Sequence, residues 1–440
     1  MALSPANAAT ELSSSDPLPG DAQAQGVDAP DLRLFVFALF FIFGGITSLN
    51  DVIIPKLKDL FTLSYFQAML VQSAFFAAYF FMSLPGAAIV RRAGYMRAAA
   101  IGLLTMTAGC LLFITASSSA TFGLFLFALF VLASGITIVQ VVANPLISLL
   151  GPPATAHSRL TFAQAFNSLG TTVFPFVGAI VILGSLATVD PATLSGAALD
   201  SYRTAETRVV VGTYLGLAVA LMVVAAVVWS RRKRLVETHA ASTSIVHAFD
   251  LLKQPRFGLG ALCIFLYVGA EVAIGSIIVN YLMQADTLAV AAERAGQLVA
   301  FYWGGAMVGR FIGSGVMRVV HPGLVLLGVA SGAALLLAVS GFSVGLVSGY
   351  ALIAIGLMNS IMFPTIFSLA SEGLGKRAAD GSGIICMAIV GGAIIPALTG
   401  LAADASSLRT ALVVPFACYA VIAAFGVYCW RQGGVFSRDG

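Results

Sequence analysis

Apolar stretches of about 20 residues follow one another along almost the whole chain, and a helix of that length crosses a bilayer core of about 30 Å. Read on that basis, the chain holds twelve candidate spans, at roughly 33–58, 64–91, 96–116, 121–150, 158–186, 207–230, 256–284, 294–320, 323–341, 344–371, 379–403 and 409–430. Open strands would leave backbone groups unpaired in lipid, so the spans are helices. Composition agrees. Of 440 residues, 59% are hydrophobic and 10% charged, against about 25% charged in a soluble protein. A soluble core of this length could not hide so much apolar surface. The expected fold class is all-α integral membrane.

Segment 1–31 carries Glu11, Asp16, Asp21, Asp28 and Asp31 among Ala, Ser and Pro, without a basic leader region, and reads as a disordered tail rather than a signal peptide. No basic run is interleaved with aromatics, which excludes nucleic acid as a partner. Cys110, Cys263, Cys386, Cys418 and Cys429 all lie in apolar segments without a CxxC pair and read as small buried hydrophobes. His157, His239, His247 and His321 lie at or near loops, which argues against a histidine proton relay inside the membrane. HExxH, GxSxG, paired acidic metal motifs and Gly-rich phosphate loops are all missing, so the chain reads as no enzyme, with no cofactor and no resident metal.

Lys and Arg orient the spans. With both termini on one side, that side gathers seventeen of the 23 basic residues, and the other keeps Lys56, Lys58, Arg203, Arg208, Arg294 and Arg409. The basic side is read as cytoplasmic. It includes a linker at 231–255, which opens with Arg231-Arg232-Lys233-Arg234 and turns amphipathic from Ile245 to Leu252. The linker separates six spans at 32–230 from six at 256–440.

The two halves echo each other. Gly86 and Arg91 close span 2 as Gly313 and Arg318 close span 8. Pro145 in span 4 answers Pro364 in span 10, 219 residues on, and Pro175 in span 5 answers Pro396 in span 11, 221 residues on. Such symmetry marks a transporter made of two related, pseudo-symmetric six-helix bundles. Most of the 45 glycines suit close helix approach.

Ionisable residues inside a span are functional candidates by default. Two carboxylates lie well inside, Asp51 in span 1 and Glu271 in span 7. Amides follow at helical spacing: Gln140 and Asn144 share one face of span 4, and Gln164 and Asn167 one face of span 5. Asn359 sits midway along span 10. Amides offer donors and acceptors that suit a hydroxyl-rich ligand, although they also tie helices together. Trp303, Tyr267 and Tyr79 are candidates to cover the apolar face of such a ligand. Arg310, deep in span 8, needs a partner and reads as a structural ion pair or hydrogen-bond hub near the cytoplasmic end.

Several strings resemble a known family: Ser48-Leu49-Asn50-Asp51 with Pro55, Gln72-Ser73-Ala74-Phe75, Gln140 through Pro145, Arg159 through Ser168, Tyr267-Val268-Gly269-Ala270-Glu271, and Asn359 through Thr365. The two-bundle pattern resembles the major facilitator superfamily and, within it, the fucose–galactose–glucose symporter family. Gly86 is followed by Arg91-Arg92 without the superfamily's usual Asp, as is common in that family. Gln140 stands where the fucose branch keeps an acid, and with Glu271 this is closer to the glucose/galactose branch. The resemblance implies cation-coupled hexose import by alternating access at a bacterial inner membrane, by a monomer. Asp51 and Glu271 would couple the ion, and Asn50, Asp51, Gln140, Asn144, Gln164, Asn167, Glu271, Trp303 and Asn359 would bind sugar. Proton and sodium both remain candidate coupling cations, with sodium near Glu271. Another sugar, such as L-fucose or N-acetylglucosamine, or a sensor that binds sugar without moving it, is the alternative. Asp51→Asn is expected to abolish uphill uptake while sparing sugar exchange; normal accumulation by this variant would remove Asp51 from the coupling step.

Overall fold

The structure is a computed structural model that describes residues 30–61, 65–119, 122–178, 196–232 and 245–433; the side chains at 30–31, 49–61, 65–73, 117–119, 175–178, 198–210, 245–246 and 292–293 lie outside the description. All elements among the described residues are helical. The first half comprises α1 (Pro30–Phe61), α2 (Tyr65–Ala93), α3 (Tyr95–Ser119), α4 (Phe122–Leu149), α5 (Ala156–Gly178) and α6 (Ala197–Ser230). The second comprises α7 (Pro255–Met283), α8 (Ala292–Val316), α9 (Pro322–Phe342), α10 (Gly345–Asn359), α11 (Met362–Ser371), α12 (Ala378–Ala388), α13 (Gly391–Ala405), α14 (Leu408–Ala411) and α15 (Val413–Arg431). Because α10 with α11, α12 with α13, and α14 with α15 each make one crossing, the chain crosses twelve times. The amphipathic part of the linker forms 3₁₀ turns at Ile245–Lys253, with Ala248 and Leu251 buried and Phe249 and Leu252 exposed.

Packing repeats between the halves. In the first bundle α3 lies on α4 and α6, α1 on α5, and α2 on α4. In the second, α9 lies on α10 and α15, α7 on α13, and α8 on α10, the same four pairings transposed by six crossings. The seams between bundles obey the same symmetry: α2 meets α12, and α5 meets α8. Close helix approach supplies dispersion contact that lipid cannot better. A Cβ on Gly135 would come within 2.5 Å of the Met106 backbone nitrogen, so α3 and α4 touch backbone to backbone there.

Three crossings that read as continuous in the sequence are broken. Pro364 cannot donate to the carbonyl of Ser360, and its ring crowds that carbonyl, so span 10 parts at Ser360–Ile361. Pro415 stands in the same relation to Ala411, where span 12 divides between α14 and α15. In span 11 the break precedes Gly391, which lies flat against α7: a Cβ there would fall 2.0 Å from the Phe265 carbonyl oxygen. Pro85, Pro145 and Pro396, by contrast, sit inside unbroken helices.

α5 and α8 are not among the described helices that are long and apolar enough to cross a membrane on composition alone, and α1 qualifies only over a short stretch, Leu32–Ser48. α5 and α8 face each other across the bundle seam and carry the amides and Arg310. The Gly135→Val variant is expected to lose about 1–3 kcal/mol through overpacking, read as a lower melting temperature in detergent. Gly212→Ala, at a position with open space around it, should leave that temperature unchanged.

Candidate functional site

The first bundle contributes amides on α4 and α5. Gln140 and Asn144, one turn apart on α4, are both buried, as is Gln164 on α5. Gln164 Nε2 donates to Asn144 Oδ1 across 3.4 Å, and Asn167 Nδ2 donates to the Phe40 carbonyl, also across 3.4 Å. Both bonds are long for N–H···O. Gln140 Oε1, Asn144 Nδ2 and the Thr161 hydroxyl are buried without any partner. An unmatched buried polar atom costs about 1–3 kcal/mol, so three of them side by side on two helices mark a surface built to receive polar groups. Asn50 and Asp51 lie on α1, and their side chains fall outside the described residues.

The second bundle answers with a satisfied network. Tyr267 on α7 places its hydroxyl 2.8 Å from Glu271 Oε1 and 3.0 Å from the Asn359 carbonyl oxygen. Asn359, the last residue of α10, donates from Nδ2 to the Tyr302 hydroxyl at 2.8 Å and accepts at Oδ1 from the Tyr419 hydroxyl at 2.7 Å. Asn359 is fully buried in this conformation, with one tyrosine bonded at each end of its amide. Glu271 is partly exposed, with the Arg310 charge acting on it from α8.

Arg310 is the hub its position demanded, joined to carbonyls and a hydroxyl. Its Nε donates to the Ser360 carbonyl at 2.9 Å, which is the group that Pro364 leaves without a helical donor. Its Nη1 reaches across the seam to the Gln164 carbonyl at 3.2 Å and to the Ser168 hydroxyl. Trp303 lies two helical turns from Arg310 on the same stripe of α8 as Met307, half exposed and edge-on to Tyr302. Tyr79 is buried in the core against Phe75 and so packs rather than presenting its ring.

At the linker face the two bundles are locked by charge. His157, in the first turn of α5, is buried and bonds Ser368 Oγ at 2.6 Å and Glu372 Oε1 at 2.8 Å. Glu372 also pairs with Arg256 of α7, whose Nε holds the Leu369 carbonyl at 2.8 Å. Arg91 of α2 pairs with Asp380 of α12. Ser158 donates to the Ser314 carbonyl at 2.7 Å. None of these partners stood out in the sequence, because each pair is long-range and Asp380 lies at a helix start. Hydrogen bonds and ion pairs between bundles among the described residues run from Thr172–Met307 to the linker face.

Two bundles related by a pseudo-twofold, locked at one face, with polar groups converging midway between them, define a secondary transporter. The Major Facilitator Superfamily model matches residues 36–396. The chain is 45% identical to the glucose/galactose transporter of Brucella abortus (strain 9-941), over 95% of this chain and 98% of that one. It is 31% identical to the L-fucose-proton symporter of Escherichia coli K12, over 77% and 79%. Its structure superposes on the crystal structure of FucP in the outward conformation with a TM-score of 0.84 at 30% identity, covering 90% of this chain and 98% of that one. The chain belongs to the Major Facilitator Superfamily and, within it, to the fucose–galactose–glucose symporter family.

A site that keeps polar atoms buried and unpaired is held at the expense of stability. Gln140→Leu is therefore expected to stabilise the empty protein by about 1 kcal/mol, read as a higher melting temperature in detergent. A lower one would mean that Gln140 is a tie between helices.

Proposed function

We propose that this protein imports a hexose, with glucose or galactose favoured, by cation symport through alternating access, and that the conformation described is the outward-open one. The observation that carries the reading is the set of buried, unpaired amide atoms on α4 and α5, together with a half-exposed tryptophan and a carboxylate on the other bundle. A pyranose presents a ring of hydroxyls and an apolar face. Gln140, Asn144, Gln164 and Asn167 match the hydroxyls as paired donors and acceptors. Trp303 matches the apolar face, and Glu271 accepts strongly from a hydroxyl when ionised. The relatives' names support a hexose, and the L-fucose-proton symporter among them supports the proton as coupling cation.

The linker face is assigned to the cytoplasm of a bacterial inner membrane, together with both termini. The excess of Lys and Arg there supports this. The lock of His157, Glu372, Arg256, Arg91 and Asp380 then closes the inner gate, and sugar and cation enter from outside. With both bound, the carboxylate that takes the cation, Asp51 or Glu271, is neutralised, the lock opens, and the seams of α2 with α12 and α5 with α8 part at the inner end while the outer end closes. The transporter works as a monomer and needs no cofactor beyond its cation.

The test is uptake of labelled D-glucose and D-galactose into proteoliposomes with an imposed proton or sodium gradient, with L-fucose and N-acetylglucosamine in parallel. Accumulation of a hexose driven by the inward proton gradient, and abolished by a protonophore, is the expected result. Sodium-driven uptake that resists the protonophore would reassign the cation. Sugar binding with no counterflow would make the protein a sensor.

A further inference from the structure

The Tyr267 hydroxyl is close to two acceptors, yet it carries one proton. Glu271 Oε1 is 2.8 Å away and the Asn359 carbonyl oxygen 3.0 Å away. The hydroxyl can serve only one of them at a time. The Asn359 carbonyl is no ordinary acceptor, because it belongs to the last residue of α10 before the break that Pro364 imposes, where the helical ladder stops. Its own side chain is committed to Tyr302 and Tyr419. The next carbonyl, Ser360, is held by Arg310, which also grips α5 of the other bundle.

From this geometry we infer that Tyr267 is a positioning residue that transmits the protonation state of Glu271 to the break in span 10. When Glu271 is ionised, the charge-assisted bond wins the Tyr267 proton, and the Asn359 carbonyl faces a bare oxygen lone pair. When Glu271 takes a proton from water in the cavity, its own O–H donates to Tyr267 Oη. The Tyr267 hydroxyl keeps its proton and turns it to the Asn359 carbonyl. No proton passes through the phenol: one is gained by Glu271, the Tyr267–Glu271 hydrogen bond reverses direction, and the bond to the Asn359 carbonyl is made. The result is a break that is capped when Glu271 is neutral and uncapped when it is charged. The capped segment is the one that Arg310 ties to α5, so binding at the carboxylate is felt at the seam that must open.

Among the described residues, the charged or titratable groups acting on this pair are Arg310 and Tyr302 from α8 and Tyr419 from α15. Glu271 is the carboxylate among these groups, and the inference turns on its charge. The inference rests on the proposed role of Glu271 as a coupling carboxylate, and its test separates the two.

The experiment is hydrogen–deuterium exchange of the purified transporter in nanodiscs, followed by mass spectrometry of peptides covering 356–366. It is run from pH 5 to pH 8 with correction for the intrinsic exchange rate. The wild type should exchange about tenfold faster at the high end. Glu271→Gln mimics the neutral carboxyl and should be slow at every pH. Tyr267→Phe should be fast at every pH, and the double variant should follow Tyr267→Phe. Persistence of the pH dependence in Tyr267→Phe, or a shift of both single variants in the same direction, would overturn the inference. In parallel, proteoliposomes carrying Glu271→Gln are tested for proton-driven D-galactose accumulation. Should they accumulate it with the wild-type pH dependence while the exchange pattern holds, the coupling role of Glu271 falls and that of Tyr267 with it, leaving a hydrogen-bond switch without a transport function. Loss of accumulation together with the expected exchange pattern supports both.

Discussion

A carbonyl without a donor is the hardest thing to place in a bilayer, and the second bundle is organised around two of them. Pro364 removes the N–H that the Ser360 carbonyl would use, and the helix parts one turn before it. No water in the hydrocarbon core can fill the gap, so the donors must come from the protein. Arg310 supplies one, and Tyr267 is within reach of the other. A guanidinium is tolerated at this depth because it is surrounded by acceptors: the Ser360 and Gln164 carbonyls, the Ser168 hydroxyl, and the nearby charge of Glu271. The break and the cation thus depend on each other, because the freed carbonyl is one of the acceptors that hold Arg310 in place.

The repeat makes the asymmetry legible. Pro145 and Pro364 occupy equivalent places, yet α4 runs unbroken through its proline and span 10 does not. Gln140 and Asn359 are separated by the same 219 residues as those prolines. Gln140 keeps a buried oxygen without a partner, whereas both ends of the Asn359 amide are bonded. Asp51 and Glu271 likewise stand in equivalent crossings. Two copies of one bundle have diverged so that the first offers open hydrogen-bonding capacity and the second holds a braced framework. A ligand bridging them meets an adaptable wall on one side and a preorganised one on the other, which limits the ordering that binding must pay for.

What could be read from the sequence follows from range. Span number, side and bundle division depend on length, hydropathy and charge counted locally, and the amide pairs on α4 and α5 emerge from helical spacing alone. The breaks did not emerge, because Pro85, Pro145, Pro364 and Pro396 look alike in the chain. Whether a proline splits a helix depends on whether a neighbour such as Arg310 offers a donor to the freed carbonyl, and on whether a neighbour such as α7 needs the backbone close, as at Gly391. The partners of Asn359 were hidden for the same reason: Tyr302 and Tyr419, which bond the two ends of its amide, are 57 and 60 residues away. His157 looked like a loop residue, and its partner Glu372 lies 215 residues on. The polarity that keeps α5 and α8 below the apolar threshold was visible, and it marks the helices that face one another across the seam.

Placement of charge along the seam decides how the two gates can differ. The ion pairs of the lock sit at helix ends, where water can reach both partners once the bundles separate. Opening there exchanges a buried pair for two solvated ions, and the hydration regained offsets much of the attraction lost. Arg310 is different. It sits deeper, and on opening it loses the α5 acceptors but keeps the Ser360 carbonyl of its own bundle, so the break stays supported while the seam parts.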